Sequence, residues 1–299
     1  MHRLPTAPLR PLTALVTTAL LASACATVQT TDSGAIGLER KQYFAEGARE
    51  AVRDAAEAYY DEHLEAALAE GALNADPAQV DRVVAIANRL IPHVAGFRPD
   101  ALDWAWEVNV VSVDEVNATC MAGGKIFVYT GLLDTWQPTD DELAAVIGHE
   151  IAHALRDHSA EKYSTRNRNS AIASGLGAIL SVGLAVTTGV NLSNTIDGVS
   201  QISAEAFANL PNSRELELES DRIGLELMAR AGYDPQAAVS LWTKVAEQAR
   251  AAGKEGDGRF WSTHPSDASR VEDLSRAQPL VRPLYEQARA AAAGAGAAR

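Results

Sequence analysis

His149-Glu150-Ile151-Ala152-His153 is the stretch on which the reading of this chain turns. Two imidazoles four residues apart share one face of a helix, where both can reach a single ion, and the carboxylate beside them is placed to take a proton from metal-bound water. Immediately upstream, Thr139-Asp140-Asp141-Glu142 has the Ser/Thr-x-x-Glu form of a capping box, and Leu143, Val146, Ile147 and Ile151 continue at helical spacing. The short motif also arises by chance, but here it lies inside a capped helix that follows a strand region.

A catalytic zinc site takes a third protein ligand and keeps an open position for water. A ligand set continuing directly from the motif would need Gly at 156 and His at 159, where the chain has Arg156 and Ser159; His158 is one residue out of step. The other source is a later helix, Arg214-Glu215-Leu216-Glu217-Leu218-Glu219-Ser220-Asp221, on which Glu217 and Asp221 share a face. Glu217 can then ligate while Asp221 accepts the ring N–H of a metal-bound histidine. Without that context Glu215, Glu217 and Glu219 would read as solvated charge. Glu215 and Glu219 are expected to be dispensable for metal binding.

Around this centre the predicted architecture is α+β and mainly α. Helices are expected over Leu38 to Ala69 and over Ala78 to Leu90, the latter stopping before Pro92. Trp104 to Val113 and Asn117 to Thr130 read as a small sheet with a tight turn at Gly123-Gly124. Ser213 to Ala231 is helical and ends at Gly232; Asp234-Pro235 starts another helix; 266–277 and 283–293 read as short helices. The uncharged segment Ser170 to Val190 is long enough for a membrane span, but it is rich in Gly, Ala, Ser and Thr and reads rather as a helical hairpin or flap packed on the domain. An integral membrane peptidase is the rival reading that rests on it.

With 299 residues, 47% hydrophobic and 22% charged, the chain can bury one sizeable core. Its net charge of -13 opposes the counterion release that drives nucleic-acid binding, so no nucleic-acid partner is expected. The two cysteines, Cys25 and Cys120, exclude a disulfide scaffold and a cysteine-ligated zinc ribbon. Cys120 is expected to be an inert buried thiol away from the ligand helices. His63, His93 and His158 read as surface or capping residues. Residues 1–24 carry Arg3 and Arg10, no acid, and a short apolar run leading to Ala22-Ser23-Ala24-Cys25, the pattern of a bacterial export signal. The small residues before Cys25 resemble a lipobox, so Cys25 is the expected lipidation site, followed by a small, polar tether.

His149 to His153, Ser213-Arg214, Glu217 to Asp221, Gly224, and Ser262-Thr263-His264-Pro265 with Arg270 resemble the zinc metallopeptidase family that contains HtpX and the CaaX prenyl endopeptidases. The resemblance spans roughly residues 80 to 275. Asn117 to Met121 and Gly123 to Leu133 look most like its periplasmic LoiP-like lipoprotein branch and its mitochondrial quality-control branch. It implies a zincin-like domain with one Zn2+ per chain held by His149, His153 and Glu217, with Glu150 as general base and Asp221 behind a ligand. His264 would act as a fourth ligand in a closed state, as an oxyanion donor, or only as a loop residue. Asn117 and Ala118 would line a substrate edge. The implied organisation is a signal peptide (1–24), a lipidated tether (25–36), an N-terminal helical layer (37–95), a metallopeptidase domain (96–280), and a C-terminal helix with a frayed tail (281–299). The implied function is a zinc endopeptidase acting on unfolded or misassembled envelope polypeptides from the periplasm, anchored by lipid to a membrane. Ala26 after the cysteine favours the outer membrane. The competing class is a non-proteolytic assembly factor on the same scaffold.

Overall fold

Residues 27–43 form a strap laid across the molecule. The computed structural model describes residues 27–169, 212–251, 263–264 and 268–297; within it β1 (Thr27–Val28) pairs antiparallel with β2 (Gln42–Tyr43). Between these strands Ile36 and Leu38 enter the main core, and the Ile36 N–H donates to Glu226 Oε2 at 3.0 Å. The small polar residues expected to form a loose tether up to residue 36 are thus docked over their described part, because their backbone finds buried acceptors. The helix expected from Leu38 begins only with α1 (Ala48–Ala69). Gly47 ahead of it has φ 70°, which interrupts a right-handed helix. Buried Gln42 is held in the strap by bonds from its amide to Arg156 O and Glu161 Oε2, at 2.6 and 2.7 Å.

Helix α2 (Pro77–Leu90) is capped by Asp76, whose carboxylate accepts from Ala78 and Gln79 N–H. Its Val83, Ile86, Ala87 and Leu90 join the main core, so the helical layer expected over 37–95 divides: α1 lies outside, α2 inside. Two 3-10 turns, Ile91–Gly96 and Pro99–Asp103, lead to the sheet. Its strands β3 (Glu107–Val111), β4 (Ala118–Met121) and β5 (Lys125–Tyr129) run in the order β3-β5-β4, with β3 parallel and β4 antiparallel to β5. Gly123 and Gly124, at φ 92° and 90°, make the turn that any side chain would strain. Alternation divides the sheet's faces: Ala118, Cys120, Ile126 and Val128 enter the main core, whereas Phe127 stacks on Tyr60 of α1 at 4.9 Å. This leaves β4 as an edge strand.

After α3 (Thr130–Trp136) comes α4 (Asp140–Leu155), which carries the paired histidines. The expected capping box is present: Glu142 N–H donates to Thr139 Oγ1 at 3.2 Å and Thr139 N–H to Glu142 Oε2 at 2.8 Å. Helix α4 is buried on nearly all sides, as a mid-core helix should be. A turn then leads into α5 (158–169). Helix α6 (Arg214–Arg230), capped by Ser213, packs on α4, and α7 (Gln236–Ala251) follows.

The last element, α8 (Ala268–Ala297), is one helix where two short ones are expected. Pro279 and Pro283 lie inside it, both on the exposed side, so the carbonyls they leave without donors can bond water. Leu274, Ala277 and Val281 keep its inner stripe buried. The result is the expected mainly helical α+β fold with a small sheet. The expected export signal, Cys25, the flap over 170–190 and Pro265 lie outside the described residues. Among the described residues, no helix is long and apolar enough to cross a membrane.

Candidate metal centre and substrate cleft

Four side chains from three places in the chain converge. On α4 the Nε2 atoms of His149 and His153 are 3.0 Å apart, as one turn of helix allows. Glu217 on α6 reaches both, with Oε2 3.4 Å from His149 Nε2 and Oε1 3.3 Å from His153 Nε2. His264 Nδ1 is 3.1 Å from Glu217 Oε1 and 3.3 Å from His149 Nε2. One donor atom from each of the four lies within 4.8 Å of the others. Asn212 ties the assembly together: its amide donates to Glu217 Oε1 at 2.7 Å, and its backbone N–H donates to Thr263 O at 2.9 Å, beside His264.

Each helix histidine is oriented from behind. Asp221 can only accept, so His149 donates Nδ1–H to it at 2.9 Å and turns Nε2 toward the group. Arg270 of α8 grips both oxygens of Asp221 at 2.7 Å and lies 2.8 Å from Glu217 Oε2, with its guanidinium 4.4 Å over Trp242. Burial opposes the charge on Glu217, but His264, Arg270 and His149 outweigh it and hold the carboxyl well below its usual range. For His149, burial is likewise outweighed by Glu217 and Asp221, which push the ring up to about 9. Burial drives His153 the other way, well below the ordinary imidazole range.

This donor set fits a divalent cation of the zinc class. Two imidazoles and a carboxylate are typical zinc ligands. Buried Glu217 Oε2 lacks a hydrogen-bond partner despite its ion pair with Arg270, and so does Glu150 Oε1. Glu150 is buried beside the group, 3.6 Å from His264 Nε2, and burial pushes its carboxyl up.

The group opens into a cleft. It is lined by β4 and its approach, Asn117 to Ala122, and by Val52, Ala56 and Tyr59 of α1. Glu150, His153, His158, Lys162 and His264 also face it. The structure therefore brings Asn117, Ala118 and His264 to the same cleft as Glu150. Three expectations are corrected. Cys120 is buried, with its thiol pushed up by burial and by Glu150, but it lines this cleft, because β4 packs directly on α4. His158 is buried and not solvated: its Nδ1 is 2.8 Å from His153 Nδ1. Glu219 is no surface charge either; it accepts from His158 Nε2 at 3.0 Å, and His158, Arg40 and Arg156 overcome its burial and hold it down to about 2.

Several site residues escape sequence reasoning. Lys162, whose Nζ donates to Asn212 Oδ1 at 2.8 Å, is pushed down to about 8 by burial. It carries no motif, and neither does Asn212. Arg270 is legible only through its place in the Thr-His-Pro resemblance, not through any local pattern.

The family model for peptidase family M48 matches residues 76–278. Mitochondrial metalloendopeptidase OMA1 of Saccharomyces cerevisiae is 33% identical over 186 residues, covering 61% of this chain and 50% of the relative. The Arabidopsis thaliana protein of that name is 38% identical over 192 residues, covering 64% and 36%. The beta-barrel assembly-enhancing protease of Escherichia coli (strain K12) is 26% identical over 220 residues, covering 71% and 41%. The matches thus span half or less of these relatives' length. The matched residues 76–278 make up more than half of the chain and include α2, the sheet, α4 and α6, and the chain belongs to peptidase family M48.

Proposed function

We propose that the protein is a zinc-dependent endopeptidase of the bacterial cell envelope that hydrolyses unfolded or misassembled envelope proteins. The observation that carries this reading is the coincidence of the His149, His153 and Glu217 donor group, the buried Glu150 carboxyl and an edge strand in one cleft. A zinc ion held by these three residues would polarise a scissile carbonyl and acidify a water molecule. Glu150 accepts the proton of the attacking water and returns it to the leaving amine; burial raises its carboxyl above the usual carboxylate range. Asp221 and Arg270 keep His149 and Glu217 in place. An extended peptide adds to β4 near Asn117 and Ala118, where main-chain pairing gives affinity without demanding a sequence. A proline at Thr119 that leaves folding and peptide turnover unchanged would overturn that mode.

Within the family, the Asn117 to Met121 and Gly123 to Leu133 segments resemble both the LoiP-like lipoprotein branch and the mitochondrial branch of the HtpX and CaaX endopeptidase group, and the pattern leading to Cys25 favours the first. Arg3, Arg10 and the small residues before Cys25 support cleavage after Ala24 and lipid attachment at Cys25, which would hold the enzyme in the periplasm at the outer membrane. An unacylated mature N-terminus in mass spectrometry would refute the anchor. The similarity to a beta-barrel assembly-enhancing protease supports an envelope role. Zinc content and casein cleavage, compared with Glu150→Gln, test the activity. The variant should keep zinc and lose cleavage; equal cleavage would sink the mechanism.

A further inference from the structure

We infer that Arg40, on the N-terminal strap, is a positioning residue for His153, acting through Glu219 and His158. The inference rests on the reading of His149, His153 and Glu217 as metal ligands.

His153 turns Nε2 toward the ligand group, so its orientation depends on what Nδ1 meets. That atom is 2.8 Å from His158 Nδ1, and His158 Nε2 is 3.0 Å from Glu219 Oε2. A carboxylate accepts only, so His158 carries its proton on Nε2 and offers the Nδ1 lone pair. His153 must then donate Nδ1–H, which leaves its own Nε2 lone pair free for a cation. The Ser220 hydroxyl, 3.3 Å from His158 Nδ1, shares that acceptor. Two hydrogen bonds thus select the one neutral form of His153 that can ligate.

The relay ends on the strap. Arg40 bonds both Glu219 oxygens, through Nε to Oε1 and through Nη2 to Oε2 at 2.9 Å, and its fork also grips Glu161 at 2.6 and 2.7 Å. Arg156 is the other cation on Glu219, at 3.2 and 3.4 Å, and the strap holds it too, through the Thr30 and Thr31 hydroxyls and the Arg40 carbonyl. Arg156, His158 and Glu219 are 0%, 1% and 3% exposed, so water cannot replace a lost partner cheaply. The two histidine ligands therefore have separate supports: His149 is braced by Asp221 and α8, His153 by a strap that lies outside the matched residues 76–278.

The test is zinc affinity of the full chain, stripped of metal and titrated against a chromophoric chelator, together with the visible absorption of the cobalt-substituted protein. His158→Ala and Glu219→Gln should weaken zinc about 10- to 100-fold, and Arg40→Ala about 10-fold. Arg40→Ala should have no further effect in a His158→Ala background. His158→Asn, which keeps an acceptor for His153, should restore both the affinity and the cobalt spectrum lost in His158→Ala. Arg40→Lys keeps the charge without the fork, and should give an intermediate affinity even if Arg40→Ala does not fold. Arg49→Ala removes a neighbouring 2.7 Å contact, to Asp157, without touching Glu219, and should leave zinc affinity unchanged. Parent-like affinity in His158→Ala, an additive loss in the double variant, or an equal loss in Arg49→Ala would each overturn the inference. A parent chain that takes up no zinc would overturn the metal-centre reading instead, and the inference with it.

Discussion

Gly148 and Gly224 bring the backbones of α4 and α6 into contact. A Cβ on Gly224 would lie 2.8 Å from His149 N and 2.9 Å from Gly148 C, both backbone atoms that cannot swing aside. This crossing sets Glu217 and Asp221 beside the histidine pair. Gly224→Ala should therefore cost about 1–3 kcal/mol and weaken zinc binding, because the helices must separate. Thermal unfolding and a zinc titration check it; an unchanged midpoint would mean that the crossing has slack.

On α6 the register of the ligand face is testable residue by residue. His149→Ala, His153→Ala and Glu217→Ala should each empty the site, whereas Glu215→Ala should not, since that side chain is 66% exposed. Asp221→Asn should weaken zinc about 10- to 100-fold by releasing His149. Zinc analysis of the purified variants decides, and retention by Glu217→Ala would displace it from the ligand set.

His264 sits where its ring nitrogens can join the ligand group, which supports the proposal that it serves as a fourth ligand in a closed state. His264→Ala should then raise basal hydrolysis of unfolded protein. A fall of about 100-fold with zinc retained would assign the ring to the oxyanion instead.

His93 gives a pH signature remote from the metal centre. Burial, then Arg230 and Arg89, lower its folded-state value below the usual 6.5. The unfolded chain therefore takes up this proton first on acidification, and stability is lost as pH falls below about 6.5. His93→Gln should lose less thermal stability between pH 7 and pH 5 than the parent; parallel curves would rule the contribution out.

Local geometry made half of the site readable without coordinates. The i,i+4 spacing of His149 and His153 determines their shared direction, and Thr139 with Glu142 determines where that helix starts, because both relations act within one or two turns. The Gly123-Gly124 pair likewise announces the β4 to β5 turn, where both residues take positive φ. The helices expected over 266–277 and 283–293 are one, with Pro279 and Pro283 inside it on its exposed side, where water can satisfy the carbonyls that lose a donor, while Leu274, Ala277 and Val281 keep the inner stripe packed. On α6 the four-residue spacing of Glu217 and Asp221 marks the face that meets the histidine pair, but nothing in charge or spacing tells that Glu219 is buried as well and meets His158. Only tertiary packing decided that Arg40 would meet Glu219 across 179 residues of chain. Such pairs leave no local pattern, because burial brings them together only after the helices have crossed.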